Sequence, residues 1–526
     1  MDGEGDRYRF GPLERRGLVA GWRAGQIASV AVGLVVAVLV LRSAVDPATV
    51  AVAVVTVGAG VAVGCWPIGG RAGDEWLPTV VRWGAASAAG RRRWRSPAPS
   101  VGHRLGHRLG FGGEAAAPAG RGGPGPAGPF AGLRILEVTT GAAGGPAAVV
   151  HDARSGTYTA VLEVRGHSFA LLGAEEKGRR VAGWAAVLSS LARERPVVHR
   201  LQWLATTLFD DGRAVEGFVA DRATLPPASP ARRSYAALLG QVGASTCRHE
   251  VHLAVQVRGV RPGRRTATRP APAGARRAGD AAACAVLDRE VAAIRRALAD
   301  ADVSVEGVLG PRAVATVLRR SGQPGPAGGA AVEEAGRAIG EGRMPAEPAP
   351  ARSADLPWPW PVAVEEEWGR LRTDGTWQAT YWIAEWPRVE VGPDFLGPLL
   401  LGSVRRTVSV VMQPLSPARA IRQAEQARTA DLADAELRRR GGFLATARRS
   451  READLAARRE AELADGHAAV RFSGYVTVTA ATTEELEEAC DATEQAAGQC
   501  RLALRRLYGD QGRAFTFTLP LARGLR

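Results

Sequence analysis

From its N-terminus, the chain opens with two stretches in which polar positions almost vanish. Residues 24–41, bounded by Arg23 and Arg42, carry no charge over 18 positions, and residues 48–70 carry none over 23. A helix needs about 20 apolar residues to cross a bilayer core. The two runs lie six residues apart, so the pattern predicts a transmembrane α-hairpin over 24–70 behind a short segment, 1–23. Arg15, Arg16 and Arg23 precede the first run; Arg71, Arg82, Arg91, Arg92, Arg93 and Arg95 follow the second; Arg42 alone lies between. The positive-inside bias then predicts a multi-pass protein of the cell membrane with both termini cytoplasmic. Trp66 and Trp76 are expected as interfacial anchors. In 71–95, Trp76, Val80 and Trp83 share a helical face and arginines crowd the end. That predicts a basic amphipathic juxtamembrane helix whose Arg91, Arg92 and Arg93 meet anionic headgroups.

Beyond it, periodicity stops. Residues 96–129 are rich in glycine and proline and read as a tether; His103 and His107 repeat there as "GHRLGHRLG" without an acidic or cysteine neighbour. Alternating strands and helical stretches then predict a first α+β domain, 130–320, with its helices stacked on one side. A second linker, 321–361, leads to a C-terminal α+β domain, 362–526. Its expected elements are a strand "TWQATYWIAEWP", a short helix "DFLGPLLL", a strand "RRTVSVVMQPL" and a charged helical region over 416–465 with a hinge at Gly441–Gly442. A strand "AVRFSGYVTVTA", a Thr-capped helix running through "QCRLALRRLY" and a closing strand "GRAFTFTLPL" complete it. This order predicts a ferredoxin-like sandwich with added helices.

Composition changes the picture in two ways. Lys177 is the one lysine among 68 basic side chains, against 53 acidic ones, for a net charge of +15. No lysine stands in a phosphate-binding loop, so nucleoside-triphosphate chemistry of that kind is not expected. The five cysteines form no CxxC pair and fit a reducing compartment. Two groupings have the residue types of a site. "CRHEVH", with Cys247, His249 and His252, has metal-ligand types but the wrong spacing, and His252 falls on the opposite strand face from the other two. "HDARSGTY" holds His151, Asp152 and Ser155, but in a hairpin-turn pattern. Glu365, Glu366 and Glu367 read as a solvated or arginine-paired run. Catalytic, cofactor and metal residues are therefore expected to be none. The densest informative segment is "TYWIAEWPRVEVGPDFL". Pro387 ends the strand there, leaving Trp386 at an element edge among Arg388, Glu390 and Asp394. An aromatic anchor with a polar rim is what a protein interface uses, so Trp382, Trp386, Arg388 and Phe395 are expected at a partner surface. The alternative is that Trp386 closes the domain's own core.

The blocks "YRFGPLERRGLVAGWRAGQ", "VVHDARSGTYTAVLEVRGHSFALL", "TDGTWQATYWIAEWPRVEVGPDFLGPLL", "GGFLATARR" and "RFSGYVTVTA" resemble a family of actinobacterial integral membrane proteins associated with conjugation or type IV-like secretion. The soluble part is similar to the N-terminal, non-motor region of conjugative type IV secretion ATPases. The motor's nucleotide-binding loop is missing. The resemblance implies a non-enzymatic inner-membrane scaffold that contacts membrane lipid and docks a cytoplasmic transport ATPase and other secretion components. A homo-oligomer stays open. The rival is a membrane-tethered DNA-binding transfer protein, for which net charge is the argument; an enzyme would need a polar pocket that the sequence does not offer.

Overall fold

The computed structural model describes residues 24–43, 46–65, 67–68, 71–95, 128–139, 146–165, 169–209, 229–243, 247–259, 273–322, 359–440 and 447–525, with Phe10, Pro126, Arg222 and Pro226. Most of the linkers 96–129 and 321–361, and all of Trp66, His103, His107, Gly441 and Gly442, lie outside these residues.

Two apolar helices, α1 (Ala24–Ser43) and α2 (Pro47–Cys65), pack side by side. Asp46 caps α2 by accepting the Thr49 N–H at 2.7 Å, and Pro47 opens its first turn. One helical segment, Gly25–Arg42, is long and apolar enough to cross a membrane; the apolar part of α2, Pro47–Ala62, is shorter. A two-residue ribbon, β1 (Pro67–Ile68) with β2 (Arg71–Ala72), leads into α3 (Gly73–Ala88). The predicted helix does not run to 95. Gly90, at φ +64°, turns the chain as helices commonly end, and the basic end becomes strand β3 (Arg93–Arg95).

Among the described residues, thirteen strands form one sheet, every pairing of which is antiparallel. Its first half contains β4 (Leu133–Thr139), β5 (Pro146–Asp152), β6 (Thr157–Arg165), α4 (Ala174–Leu191), β7 (Val198–Phe209), α5 (Pro230–Gly243), β8 (Cys247–Arg258), α6 (Ala273–Asp300), β9 (Ser304–Val308) and α7 (Pro311–Gly322). The second contains β10 (Ala363–Glu366), β11 (Leu371–Thr373), β12 (Thr376–Glu385), α8 (Gly397–Leu400), β13 (Arg406–Pro414), α9 (Pro417–Arg440), α10 (Ala447–Ala464), β14 (Val470–Ala480), α11 (Thr483–Gln499), β15 (Ala503–Arg506) and α12 (Gln511–Phe515). The strand order, β3-β10-β11-β12-β14-β13-β7-β8-β6-β5-β4, is a palindrome beyond β3. In each half a meander (β4-β5-β6 or β10-β11-β12) is followed by two strands that pair outward from its last member, and a short strand (β9 on β6, β15 on β12) closes the set. The halves are thus topological duplicates joined at the antiparallel β7–β13 seam, which pairs Thr207 with Arg406 through Leu201 with Met412. The two α+β units read from the sequence share a single sheet.

The helices of the first half do not all stack on one side, contrary to the expectation from the sequence. Helices α4 and α6 cover one face through Val187, Leu191, Leu287, Val291, Ile294 and Leu298, and α8 and α11 continue that layer through Leu399, Leu486 and Cys490. Helix α7 goes to the opposite face, where Val314 and Leu318 share a core with Trp360, Leu371, Phe515, Leu519 and Leu521 of the second half. Helix α11 starts with a capping box between Thr482 and Glu485. It stops sooner than predicted: Arg501, at φ +57°, leaves the helix, and Ala503–Arg506 form β15. The predicted closing strand "GRAFTFTLPL" is instead α12, a 3₁₀ turn and an extended strap.

That strap crosses the sheet over the seam. Gln202 on β7 donates to the Phe517 carbonyl at 2.9 Å and accepts from the Ala522 N–H at 2.6 Å. Ser409 on β13 donates to the same Phe517 carbonyl, and Gln256 on β8 donates to the Leu521 carbonyl, both at 2.9 Å. Beyond it, Arg523 grips Asp152 at 2.7 Å. A strap lying across strands rather than beside one has backbone groups without ladder partners, and this row of buried amides and hydroxyls supplies them.

Candidate functional site: the α3 aromatic clamp and the Trp386 cleft

The α1–α2 contact is built from small residues. A Cβ on Gly33 would lie 2.9 Å from the Thr56 carbonyl oxygen, and one on Gly60 would lie 2.8 Å from that of Ser29. Ala37 and Ala53 are buried at 5% exposure, whereas Val32, Leu34, Val35, Val38, Leu39, Val54 and Val55 are each more than half exposed. The Gln26 side chain donates to the Gly64 carbonyl at 3.1 Å, joining the start of α1 to the end of α2. Close backbones with small residues inside and branched apolar residues outside are the reverse of a water-soluble helix pair.

Helix α3 fixes this pair to the sheet. Trp76 stacks on Trp368 at 5.8 Å and meets Tyr508 at 6.0 Å, and Trp83 meets Trp368 edge-on at 5.3 Å. Gly509, at φ +70°, leaves room for this: a Cβ there would sit 2.7 Å from both Thr79 and Trp368. Of the expected membrane anchors, Trp76 is therefore in a protein clamp, and Trp66 is outside the described residues. Arg91 is exposed on the turn. The Arg92 guanidinium lies 4.6 Å from the Trp83 ring centroid, and Arg93 pairs with Glu365 at 2.7 Å. The acidic run is arginine-paired at Glu365 and at Glu367, which holds Arg370. Glu366 departs from the solvated reading: its carboxylate accepts the Gly512 N–H at 2.8 Å, and burial pushes its pKa up. Trp368, Tyr508 and Gly509 had no sequence signal, because their ring and backbone partners lie about 140 to 430 positions away in the chain.

The expected partner surface is divided by the sheet. Trp382 lies on the strap side, donating to Ser473 at 3.2 Å and packing with Tyr475 and Phe517. Trp386 lies on the helix side, beside Gly474, where a Cβ would come within 2.7 Å of its ring. Residues four apart on a regular strand would share a face, but the pairing register shifts between Ile383 and Glu385 and Trp386 follows the end of β12, so the two tryptophans do not form one patch. Trp386 meets Phe472 edge-on at 5.2 Å, and both border a cleft completed by Phe395. Phe10 fills it, with ring centroids 5.2 Å from Trp386, 5.5 Å from Phe395 and 6.2 Å from Phe472. Its N–H also donates to the Pro387 carbonyl at 3.3 Å. Arg388 pairs with Glu385 on the rim, and Asp394 with Lys177 of α4; that lysine holds the Asp394 carboxyl below its ordinary pKa. Phe10 follows Tyr8 in a mostly polar stretch, and nothing in the local pattern announces the contact.

The other groupings are structural. His249 bonds the Thr207 hydroxyl at 3.2 Å and His252 is buried on the opposite strand face; burial lowers both pKa values. No cluster of three or more metal-ligating side chains occurs among the described residues. His151 stacks on Tyr158 at 4.5 Å and bonds Arg134, while Asp152 serves the strap. Several arginines are spent on carbonyls inside the fold: Arg200 on Ala522, Arg405 on Arg320 and Arg406 on Pro398. Arg406 is 2% exposed, and burial with the Arg320 charge brings the Arg405 pKa down to about 10.

No family model matches this sequence, and no curated protein matches it.

Proposed function

We propose that this chain is a bilayer-anchored, non-enzymatic scaffold of a conjugation or type IV-like secretion apparatus, with two spans, cytoplasmic termini and a sheet that docks a transport ATPase. The observation that carries the anchoring is the inverted α1–α2 pair, with glycine and alanine between the helices and valine and leucine outside. Helix α2 is 19 residues long, and local thinning of the bilayer accommodates such a span. The secretion setting rests on the resemblance of the sequence blocks. A ferredoxin-like reading of the second half is supported by its order β13-β14-β12-β15, with α9 and α10 inserted where two strands would otherwise turn directly. The first half has the corresponding order β7-β8-β6-β9. Against the DNA-binding rival stands the burial of guanidinium groups in the sheet, which removes part of the net charge from any surface.

Topology is tested with reporter fusions at Asp46 and at the C-terminus. The first is expected outside the membrane and the second inside; a cytoplasmic Asp46 reporter rejects the two-span reading. Docking is tested by cross-linking and pull-down from native membranes, where recovery of a transport ATPase is expected. Salt-sensitive DNA binding without any ATPase would favour the rival.

A further inference from the structure

We infer that the cleft of Trp386, Phe395 and Phe472 is an exchangeable receptor for one aromatic side chain on an extended peptide, and that the chain's own Phe10 occupies it until a partner segment of that chemistry displaces it. The cleft is preformed by elements other than the occupant. Gly474 leaves room for the Trp386 ring against β14, Phe472 comes from the same strand, and Phe395 precedes α8. Among the described residues, Phe10 meets the cleft through three ring contacts and one backbone hydrogen bond, to Pro387. Phe472 remains 39% exposed with Phe10 in place. An aromatic residue on a second peptide can reproduce each of these ring contacts and the backbone hydrogen bond, which is what makes the occupant replaceable.

The specificity follows from the walls. Three aromatic rings favour a planar ring over an aliphatic chain. The Pro387 carbonyl needs a backbone N–H at the aromatic position, which excludes proline there. The Glu385–Arg388 and Lys177–Asp394 pairs set a polar rim for the flanking residues. The same features that make Trp386 a docking anchor explain why it is covered: an unfilled aromatic cleft on a membrane-associated sheet would bind adventitious apolar segments. The inference rests on the docking reading only for the identity of the partner.

The test uses the full chain in detergent and a labelled peptide with the sequence of residues 6–14, DRYRFGPLE. Fluorescence anisotropy is followed for wild type, Phe10→Ala and Phe10→Ala/Phe472→Ala. A tethered competitor acts at an effective concentration near the millimolar range, so Phe10→Ala is expected to bind at least about tenfold more tightly than wild type. The double variant, and a peptide with alanine in place of phenylalanine, are expected to lose that binding. Melting curves of each variant establish that the fold persists, and Phe472→Leu replaces Phe472→Ala if it does not. Equal affinity for wild type and Phe10→Ala, or no binding to Phe10→Ala, overturns the inference. ATPase capture measured on the same variants reports separately: peptide binding to Phe10→Ala without any change in capture supports the receptor and rejects the docking reading.

Discussion

Gln202 does more than its place in a β-strand requires. Its amide joins Ser409 across the seam to two carbonyl and amide groups of the strap, at 0% exposure. Gln202→Ala leaves buried groups unpaired, and a loss of about 2–4 kcal/mol is expected, read as a lower melting temperature in detergent; a shift under 1 °C would contradict the bridging role. Gly474 acts by what it lacks. In Gly474→Ala the new methyl would meet Ile383 at 2.6 Å and Trp386 at 2.7 Å. Ile383 is buried, so Trp386 is the side that yields. The expected cost is about 1–3 kcal/mol, with a red shift in tryptophan emission as the ring gains water. Neither residue had a motif around it. Arg388 and Phe395 were expected at a surface because they follow a strand-ending proline; the residue that fills the cleft beside them came from the far end of the chain.

Among elements, the apolar helices were the most legible, since a run without charge needs no tertiary context to be recognised. Their contact was not. The glycines at 33, 60 and 64 look like ordinary small residues until backbone distances show that Gly60 lies against Ser29. Gly60→Leu puts side-chain atoms where a backbone carbonyl stands. The hairpin must open, and a destabilisation of about 1–3 kcal/mol is expected, whereas Gly58→Leu, with open space around its Cβ, should be neutral; equal effects would place the helix contact elsewhere. The misread elements share one cause. The segments 503–506 and 511–521 have mixed periodicity, and their state is decided by neighbours. Leu504 alternates inward only because β12 offers an edge, and the strap is extended without a ladder because side chains on β7, β8 and β13 satisfy it.

For the whole molecule, the strap and the seam act together. Removing residues 516–526 would strip Gln202, Ser409 and Gln256 of their partners and Asp152 of Arg523. Limited proteolysis is expected to cut such a chain in both halves, whereas cleavage confined to the second half would mean that the first does not depend on it. Acid sensitivity follows from the histidines. Burial, with Arg258 and Arg200, brings His199 down to about 4 from 6.5, and burial also lowers His151, His249 and His252. Below pH 6.5 the unfolded chain therefore binds protons that the folded one refuses, so stability falls as pH drops from about 6.5 toward 4. The melting temperature should be lower at pH 5 than at pH 7.5, and His199→Gln should narrow the difference.

By itself, the sequence determined what depends on local composition and period: an apolar N-terminal helix, a large α+β part rich in strands, helix starts such as Thr482, and the strand end at Pro387. These rest on interactions within a few residues or on bulk solvation. Only the tertiary structure decided that the two α+β units share one palindromic sheet, that α3 clamps the hairpin through Trp368 and Tyr508, that Trp382 and Trp386 face opposite sides, and that Phe10 fills the Trp386 cleft. Each joins residues far apart in the chain, and antiparallel pairing, ring stacking and the satisfaction of buried polar groups leave no periodic trace in either partner.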